Sequence, residues 1–261
     1  MLGASGLKLV FVLFQSSEVS VEEVEREAEE QGDVLLGDRV ESYRGLVYKH
    51  LMAIRWAHNN CHQVKHVIKM DDDIFVDFPK LLEVVAKSSP SGGRYMSGLL
   101  HLSLPVLRRG KWGVAEDEVE GNTYPDFLSG WCYVTSPQVL ASMLEVLEHH
   151  QPQVFWIDDV WVTGVLAAMA EVQLISLNMY YTVYTEHLQC CVDQPDLTCP
   201  YMVGPTDASP NLTTLLAKHS QRCRAGGCRE RLLEEGMART CHVDNPLFLP
   251  LGPGHGEVLP V

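Results

Sequence analysis

Apolar and polar positions along the chain alternate between strand-length runs and stripes of helical spacing. Leu9–Phe14 is an apolar run bounded by turn residues and predicts a buried strand. Ser20 followed three residues on by Glu23 forms a capping box, and Val21, Val24 and Ala28 give the helix it opens an apolar stripe. Asp33–Leu36 reads as a short strand. Tyr43 to Trp56 reads as a helix, with Leu46, Val47, Leu51 and Ile54 at helical spacing. Val64–Met70 is the next strand. Pro79 fits the first turn of a helix continued by Leu81 to Ala86. Tyr95–Leu100 and Trp131–Thr135 are strands, and Ser136-Pro137 caps a helix reaching about His149. Asp158-Asp159 open another helix, through about Ala170, and Val172–Leu177 is a further strand. This alternation predicts an α/β layered fold, with one nucleotide-binding sheet in the first two-thirds of the chain.

Composition narrows that picture. The chain has 261 residues, 46% of them hydrophobic, enough for a sizeable core and too apolar for a disordered chain. Its net charge is -14, much of it between Glu18 and Glu41, which reads as a solvated helix face. Such a charge excludes nucleic acid and anionic lipid as partners bound through the net field, so an anionic nucleotide would need a metal or a few placed cations. The eight cysteines crowd toward the C-terminal third, with the sequon Asn211-Leu212-Thr213 among them. Together they indicate an oxidising, secretory compartment and make Asn211 a candidate glycosylation site. Zinc is disfavoured because no CxxC pair occurs. No stretch is long enough to span a bilayer, and Leu7–Phe14 is only strand-length, so for a secretory chain without an entry signal either the N-terminus is incomplete or the compartment reading is wrong. The expected organisation is a catalytic domain over residues 1–190, a Cys-rich extension over 191–245, and a disordered tail over 246–261.

Chemistry concentrates in a few places. Asp71, Asp72 and Asp73 directly follow an apolar strand, where open α/β sheets bind ligands. Adjacent carboxylates repel, and Ile74-Phe75-Val76 on their far side pulls them toward the core. A hard divalent cation, Mn²⁺ or Mg²⁺, resolves that conflict, and in an extended segment Asp71 and Asp73 would face one ion together. An exposed acidic turn is the alternative. Asp158 and Asp159 lie between Phe155-Trp156-Ile157 and Val160-Trp161. Helix capping explains one of them, and the other is a candidate general base whose desolvation would raise its pKa. His187 could complete a metal sphere as neutral imidazole, or be structural. Gly130 marks a close backbone approach or a plain turn. Lys69 and Arg44 are the nearest cations for a diphosphate, unless they pair with neighbouring acids.

These residues also carry a resemblance. The chain resembles the β-1,3-glycosyltransferases of glycosyltransferase family 31, the β-1,3-galactosyltransferase and β-1,3-N-acetylglucosaminyltransferase group related to Fringe. Five blocks carry it in order: Leu7–Phe14; Asp38–Leu46 with Lys49 and Trp56; Val67–Phe75; Tyr124–Val134; and Ile157–Gly164. The resemblance runs from about residue 7 to 190. It implies a GT-A fold, with a Rossmann-like central sheet flanked by helices and here a Cys-rich C-terminal appendage. It also implies a UDP-sugar donor, a glycan acceptor, Mn²⁺ (or Mg²⁺), and inversion at the anomeric carbon, with galactose favoured over N-acetylglucosamine. By the same resemblance Asp73 is the main metal ligand with Asp71 and His187 beside it, Asp71 and Asp72 support the nucleotide side, and Asp159 is the catalytic base. Arg44, Lys69 and Gly130 line the donor site. The family is membrane-anchored at the lumenal face of the Golgi, although this sequence contains no span. Three departures stand out. The family's first strand and its anchor are absent. Asp158 replaces the usual Glu. Leu128 replaces the usual Cys before Ser-Gly, which leaves a Cys61–Cys132 bridge, displaced from the usual pattern, as the pairing to test.

Two other function classes compete. A haloacid-dehalogenase-type phosphatase also places Asp-x-Asp after a strand, but expects Thr or Val where this chain has Phe75. A catalytically inactive UDP- or sugar-binding relative is motivated by the missing first strand.

Overall fold

The computed structural model describes residues 6–88, 90 and 93–243. The tail expected over 246–261 lies outside the described residues.

Strand β1 (Phe11–Gln15) pairs in parallel with β2 (Val34–Val40), and α1 (Val21–Gln31) makes the crossover. Helix α1 starts as its capping residues dictate: Ser20 Oγ accepts from the Glu23 amide at 3.2 Å. It ends at Gly32, whose φ of 68° is the left-handed conformation glycine takes without strain. A 3₁₀ turn at Tyr43–Gly45 leads into α2 (Leu46–Asn60), which buries Val47, His50, Leu51 and Ile54 along one face.

Strands β3 (Val67–Met70), β5 (Tyr95–His101), β6 (Phe127–Thr135) and β7 (Gln173–Ser176) form a four-stranded mixed sheet in the order β3-β6-β5-β7. β6 runs antiparallel to both its neighbours, and β5 pairs with β7 in parallel. All nine residues of β6 are buried, so this strand carries the core on both faces. One hydrophobic cluster packs α2, α4 (Pro137–His150) and the segment after Asp159 against it. A second gathers β4 (Ile74–Val76), α3 (Phe78–Ser88) and β8 (Val203–Pro205). The expected single sheet is divided: β1-β2 and β4-β8 are separate two-stranded sheets, not hydrogen-bonded to the four-stranded one. Helix α2 bridges the gap, touching both β1 and α4.

The helix expected from Asp158-Asp159 begins as a π-helical stretch, Val160–Leu166, and continues as α5 (Ala167–Met169). Gly164 allows its close seat, since a Cβ there would meet Phe127 Cβ and Pro125 Cγ, both at 3.1 Å. The Thr163 hydroxyl accepts from the Leu128 amide at 2.8 Å and points its own proton toward Asp159 O at 2.7 Å. One side chain thus locks this segment to β6.

Beyond β7, α6 (Thr185–Asp193) packs on α7 (Pro210–Arg222), and α8 (Met237–Thr240) closes the region. Disulfides Cys190–Cys241, Cys191–Cys199 and Cys223–Cys228 staple it. Helix α6 carries Cys190 and Cys191 and is continuous across residue 190, where the boundary between catalytic domain and Cys-rich extension was expected. The Cys61–Cys132 bridge does not form: both are free thiols. Cys132 is fully buried in the β6 core opposite Met70, whereas Cys61 sits at the end of α2. Burial pushes the Cys132 thiol up to about 12, so it packs as a small apolar residue.

Candidate active site

The acidic triplet stands at the carboxyl end of β3. The Asp71 amide donates to Trp131 O at 3.0 Å, extending the β3–β6 ladder by one rung. The chain then turns through Asp72 and Asp73 into β4. The acids therefore occupy a turn rather than an extended run, so alternation does not set their directions. Asp72 is exposed, and Asp71 and Asp73 are half-buried. The Asp73 carbonyl accepts from the Thr206 hydroxyl at 3.2 Å, which fixes the turn against β8.

Lys69 binds this group to the second one. Its Nζ donates to Asp71 Oδ1 and to Gly130 O, each at 2.5 Å. Burial opposes its charge, and the nearby Asp71 and Asp158 carboxylates more than offset that, so the ammonium is held above its ordinary range. The Gly130 amide on the other side of that residue donates to Asp159 Oδ2 at 3.2 Å. Gly130 is a site of close approach: a Cβ would lie 3.2 Å from Lys69 Nζ and 3.4 Å from Asp159 Cβ. Any larger residue must push the cation or the acid aside.

Asp158 and Asp159 are adjacent but have opposite environments. Asp159 Oδ1 accepts from the Val160 amide at 2.8 Å, the capping role expected of one of the pair. Burial and the neighbouring Asp158 charge push its carboxyl up to about 7. Burial also works against ionising Asp158, but the His50 hydrogen bond and the Lys69 charge outweigh it and hold that carboxyl down at about 2. His50 Nδ1 is 3.0 Å from Asp158 Oδ2, and His50 Nε2 is 2.6 Å from the Tyr133 hydroxyl. The pair thus divides into a fixed anion and a carboxylate poised near neutrality, the arrangement that separates acid–base roles in enzymes.

An aromatic wall stands beside both groups. The Trp112 indole donates to the Tyr43 hydroxyl at 2.8 Å, and Lys111 Nζ lies over both rings, about 5 Å from each centroid. Burial raises the Tyr43 pKa against the Trp112 bond, with Asp159, Asp158 and Asp71 adding to the rise. Burial lowers that of Lys111, with Asp73 opposing. Tyr43 therefore feels both acidic groups, and Lys111 the triplet.

The comparisons with known proteins come from the same stretch of chain. The sequence pattern of the galactosyltransferase family, described as "Galactosyltransferase", matches residues 3–178. The chain belongs to the galactosyltransferase family. Beta-1,3-galactosyltransferase 5 of Pan paniscus is 34% identical over 145 residues, 54% of this chain and 48% of the relative. The Homo sapiens protein of the same name is 34% identical over 143 residues, 54% of this chain and 46% of the relative. Beta-1,3-galactosyltransferase 1 of Mus musculus is 32% identical over 141 residues, covering 53% and 43%. The chain spans about half the length of the curated relatives it matches.

The family match takes in the triplet, Lys69, Gly130 and the acidic pair, and stops before His187 and the stapled region. His187 lies in the first turn of α6, its Nδ1 2.8 Å from the Thr182 hydroxyl and its ring stacked on Tyr201 at 5.1 Å. Thr182 in turn joins β8, so His187 belongs to the layer behind the triplet's turn. Among the described residues, the ligand atoms of Asp71, Asp73 and His187 do not converge within 4.8 Å of one another. The one group that does is His219, Cys223 and Cys228, and a disulfide already consumes both its thiols. Arg44 lies over the Trp156 ring at 4.7 Å and reaches Glu118 at 3.6 Å. Asn211 is exposed in the first turn of α7, accessible to a glycan.

The donor set suits Mn²⁺ or Mg²⁺: the carboxylates are hard ligands, partly open to solvent at a turn, next to a single ion-paired lysine. Sequence reasoning passed over His50, Tyr133, Tyr43, Trp112 and Lys111. For His50 a signal existed, since position 50 falls on the buried stripe of Val47, Leu51 and Ile54. A histidine there needs a buried polar partner.

Proposed function

We propose that this galactosyltransferase-family chain is an inverting β-1,3-glycosyltransferase that moves galactose from UDP-galactose to a glycan on a glycoprotein or glycolipid. UDP-N-acetylglucosamine is the second-choice donor. One observation carries the reading: Asp159 is a half-buried carboxylate, oriented by the Gly130 and Val160 amides and raised to about 7, a single lysine away from an aspartate triplet at a turn. Inversion requires one base to take the proton of an acceptor hydroxyl as its oxygen attacks the anomeric carbon opposite UDP, and Asp159 is that base. Asp73 and Asp71 would hold Mn²⁺, with Asp72 on the nucleotide side; His187, on the neighbouring helix, would have to approach them to join the sphere. When bound, the cation offsets the charge of the leaving diphosphate. Lys69 and Gly130 orient the base relative to the donor, and Arg44 stands at the rim over Trp156. The family supports a GT-A arrangement for the matched region, and a Golgi-lumenal location agrees with the three disulfides. No described helix is long and apolar enough to cross a membrane.

The test is UDP binding by calorimetry with and without Mn²⁺, in the wild type and Asp73→Ala. The reading predicts Mn²⁺-dependent binding that the variant loses. Equal affinity in both proteins removes Asp73 from the metal site.

A further inference from the structure

Beside the Thr163 lock on the backbone, the side chains of the acidic pair are attached to β6 at two points, three residues apart. At Gly130, the strand's amide donates to Asp159 Oδ2. At Tyr133, its hydroxyl lies 2.6 Å from His50 Nε2, whose other ring nitrogen is 3.0 Å from Asp158 Oδ2. A carboxylate only accepts, so His50 carries a proton on Nδ1 toward Asp158; with the neutral ring, Nε2 accepts from Tyr133. Burial keeps the Tyr133 hydroxyl protonated and hence a donor. The His50 side chain is 3% exposed, comes from α2, and reaches none of the reacting groups.

We infer that His50 is a positioning residue: by bridging Tyr133 and Asp158 it holds the Asp158-Asp159 turn to β6, and so sets the direction of the Asp159 carboxylate. This rests on the reading of Asp159 as the base. With the Asp158 anchor released, the Thr163 hydroxyl would still hold the Asp159 backbone near Leu128, and the Gly130 amide would be the one contact from β6 left on the Asp159 carboxylate. Four titratable groups face Asp159: Asp158 beside it, Lys69 from β3, Tyr43 from the 3₁₀ turn, and Tyr124 ahead of β6. None of these others ties the turn to the strand by a direct side-chain bond to Asp158.

The experiment compares wild type, His50→Leu, His50→Gln, Tyr133→Phe and Asp159→Asn. It uses UDP-galactose, Mn²⁺ and a p-nitrophenyl β-N-acetylglucosaminide acceptor, together with hydrogen exchange at the Gly130 amide. In His50→Leu, kcat should fall about tenfold to a hundredfold, the effect of a misdirected reacting group, while KM for UDP-galactose stays within about twofold. Exchange at Gly130 should accelerate about tenfold, since its acceptor is no longer held. His50→Gln keeps an amide donor and acceptor and should recover most of both losses. Tyr133→Phe removes only the outer bond, preserves packing volume, and should show the same changes in smaller measure. Wild-type exchange at Gly130 in both His50→Leu and Tyr133→Phe overturns the proposal and makes His50 a space-filling residue. That exchange reads the tether whether or not the acceptor is used. Wild-type turnover in Asp159→Asn removes the base instead, and leaves the tether to be decided by exchange.

Discussion

The two acidic groups of this chain lie one lysine apart and are built in opposite ways. Asp71, Asp72 and Asp73 occupy a turn, partly open to solvent, and Lys69 pairs with Asp71 there. Asp158 and Asp159 lie half-buried against β6, and protein donors meet them there: His50 for Asp158, and Gly130 and Val160 for Asp159. A cluster of like charges at a turn gains from a cation that arrives with its ligand. A pair enclosed by protein donors is balanced by the fold itself, and here the protein does so by ionising one member and leaving the other near neutrality. The comparison separates a site that assembles on binding from a site that folding completes.

The strongest way to break that contrast is Asp159→Asn. It should leave Mn²⁺-dependent UDP binding intact and lower kcat about a thousandfold, the range of a lost general base. Asp73→Ala should do the reverse, weakening Mn²⁺-dependent UDP binding by about a hundredfold while folding normally, because the triplet is no part of the core. Gly130→Ala sits on the boundary between the groups. Its Cβ would press on Lys69 Nζ and Asp159 Cβ, so kcat should fall about tenfold and stability by about 1 kcal/mol. Lys69→Met should split the two groups: kcat falls a few-fold as Gly130 loses its anchor, and Mn²⁺ binds a few-fold tighter as Asp71 loses its competing cation.

The smallest effect is the pH dependence of stability. Asp159 has a folded pKa raised to about 7, so the native state holds a proton the unfolded chain releases. Its contribution is present at acid pH and is lost as pH rises toward 7. Asp158 has a folded pKa lowered to about 2, so its contribution is present above the ordinary carboxylate range and is lost as pH falls toward 2. Thermal unfolding from pH 3 to 8 should therefore show Asp159→Asn flattening the decline between about pH 4 and 7.

Elements with strong local signals were legible in the sequence. Ser20 and Glu23 opened α1 as expected, and Pro79 and Ser136-Pro137 marked α3 and α4. What was not legible depended on long-range pairing. Ile74–Val76 pairs with β8, more than 120 residues on, and β1 and β2 pair only with each other, outside the four-stranded sheet. The helix after Asp159 is π-wound because Thr163 and Gly164 fit β6, a constraint no periodicity carries. Cysteine count indicated disulfides but not their pairing, and Cys132, a possible partner for Cys61, is a buried free thiol in β6. In the site, the aspartates stood out by charge. The His50–Tyr133 bridge joins residues 83 positions apart and was invisible for that reason.

The most direct test of the central claim is UDP release by the wild-type protein across UDP-galactose, UDP-N-acetylglucosamine and UDP-glucose, with and without Mn²⁺, in the presence of β-linked acceptor glycosides. The account predicts Mn²⁺-dependent release, fastest from UDP-galactose, with a β-1,3-linked product. UDP binding without transfer to any acceptor, or phosphate release without UDP-sugar turnover, would contradict it.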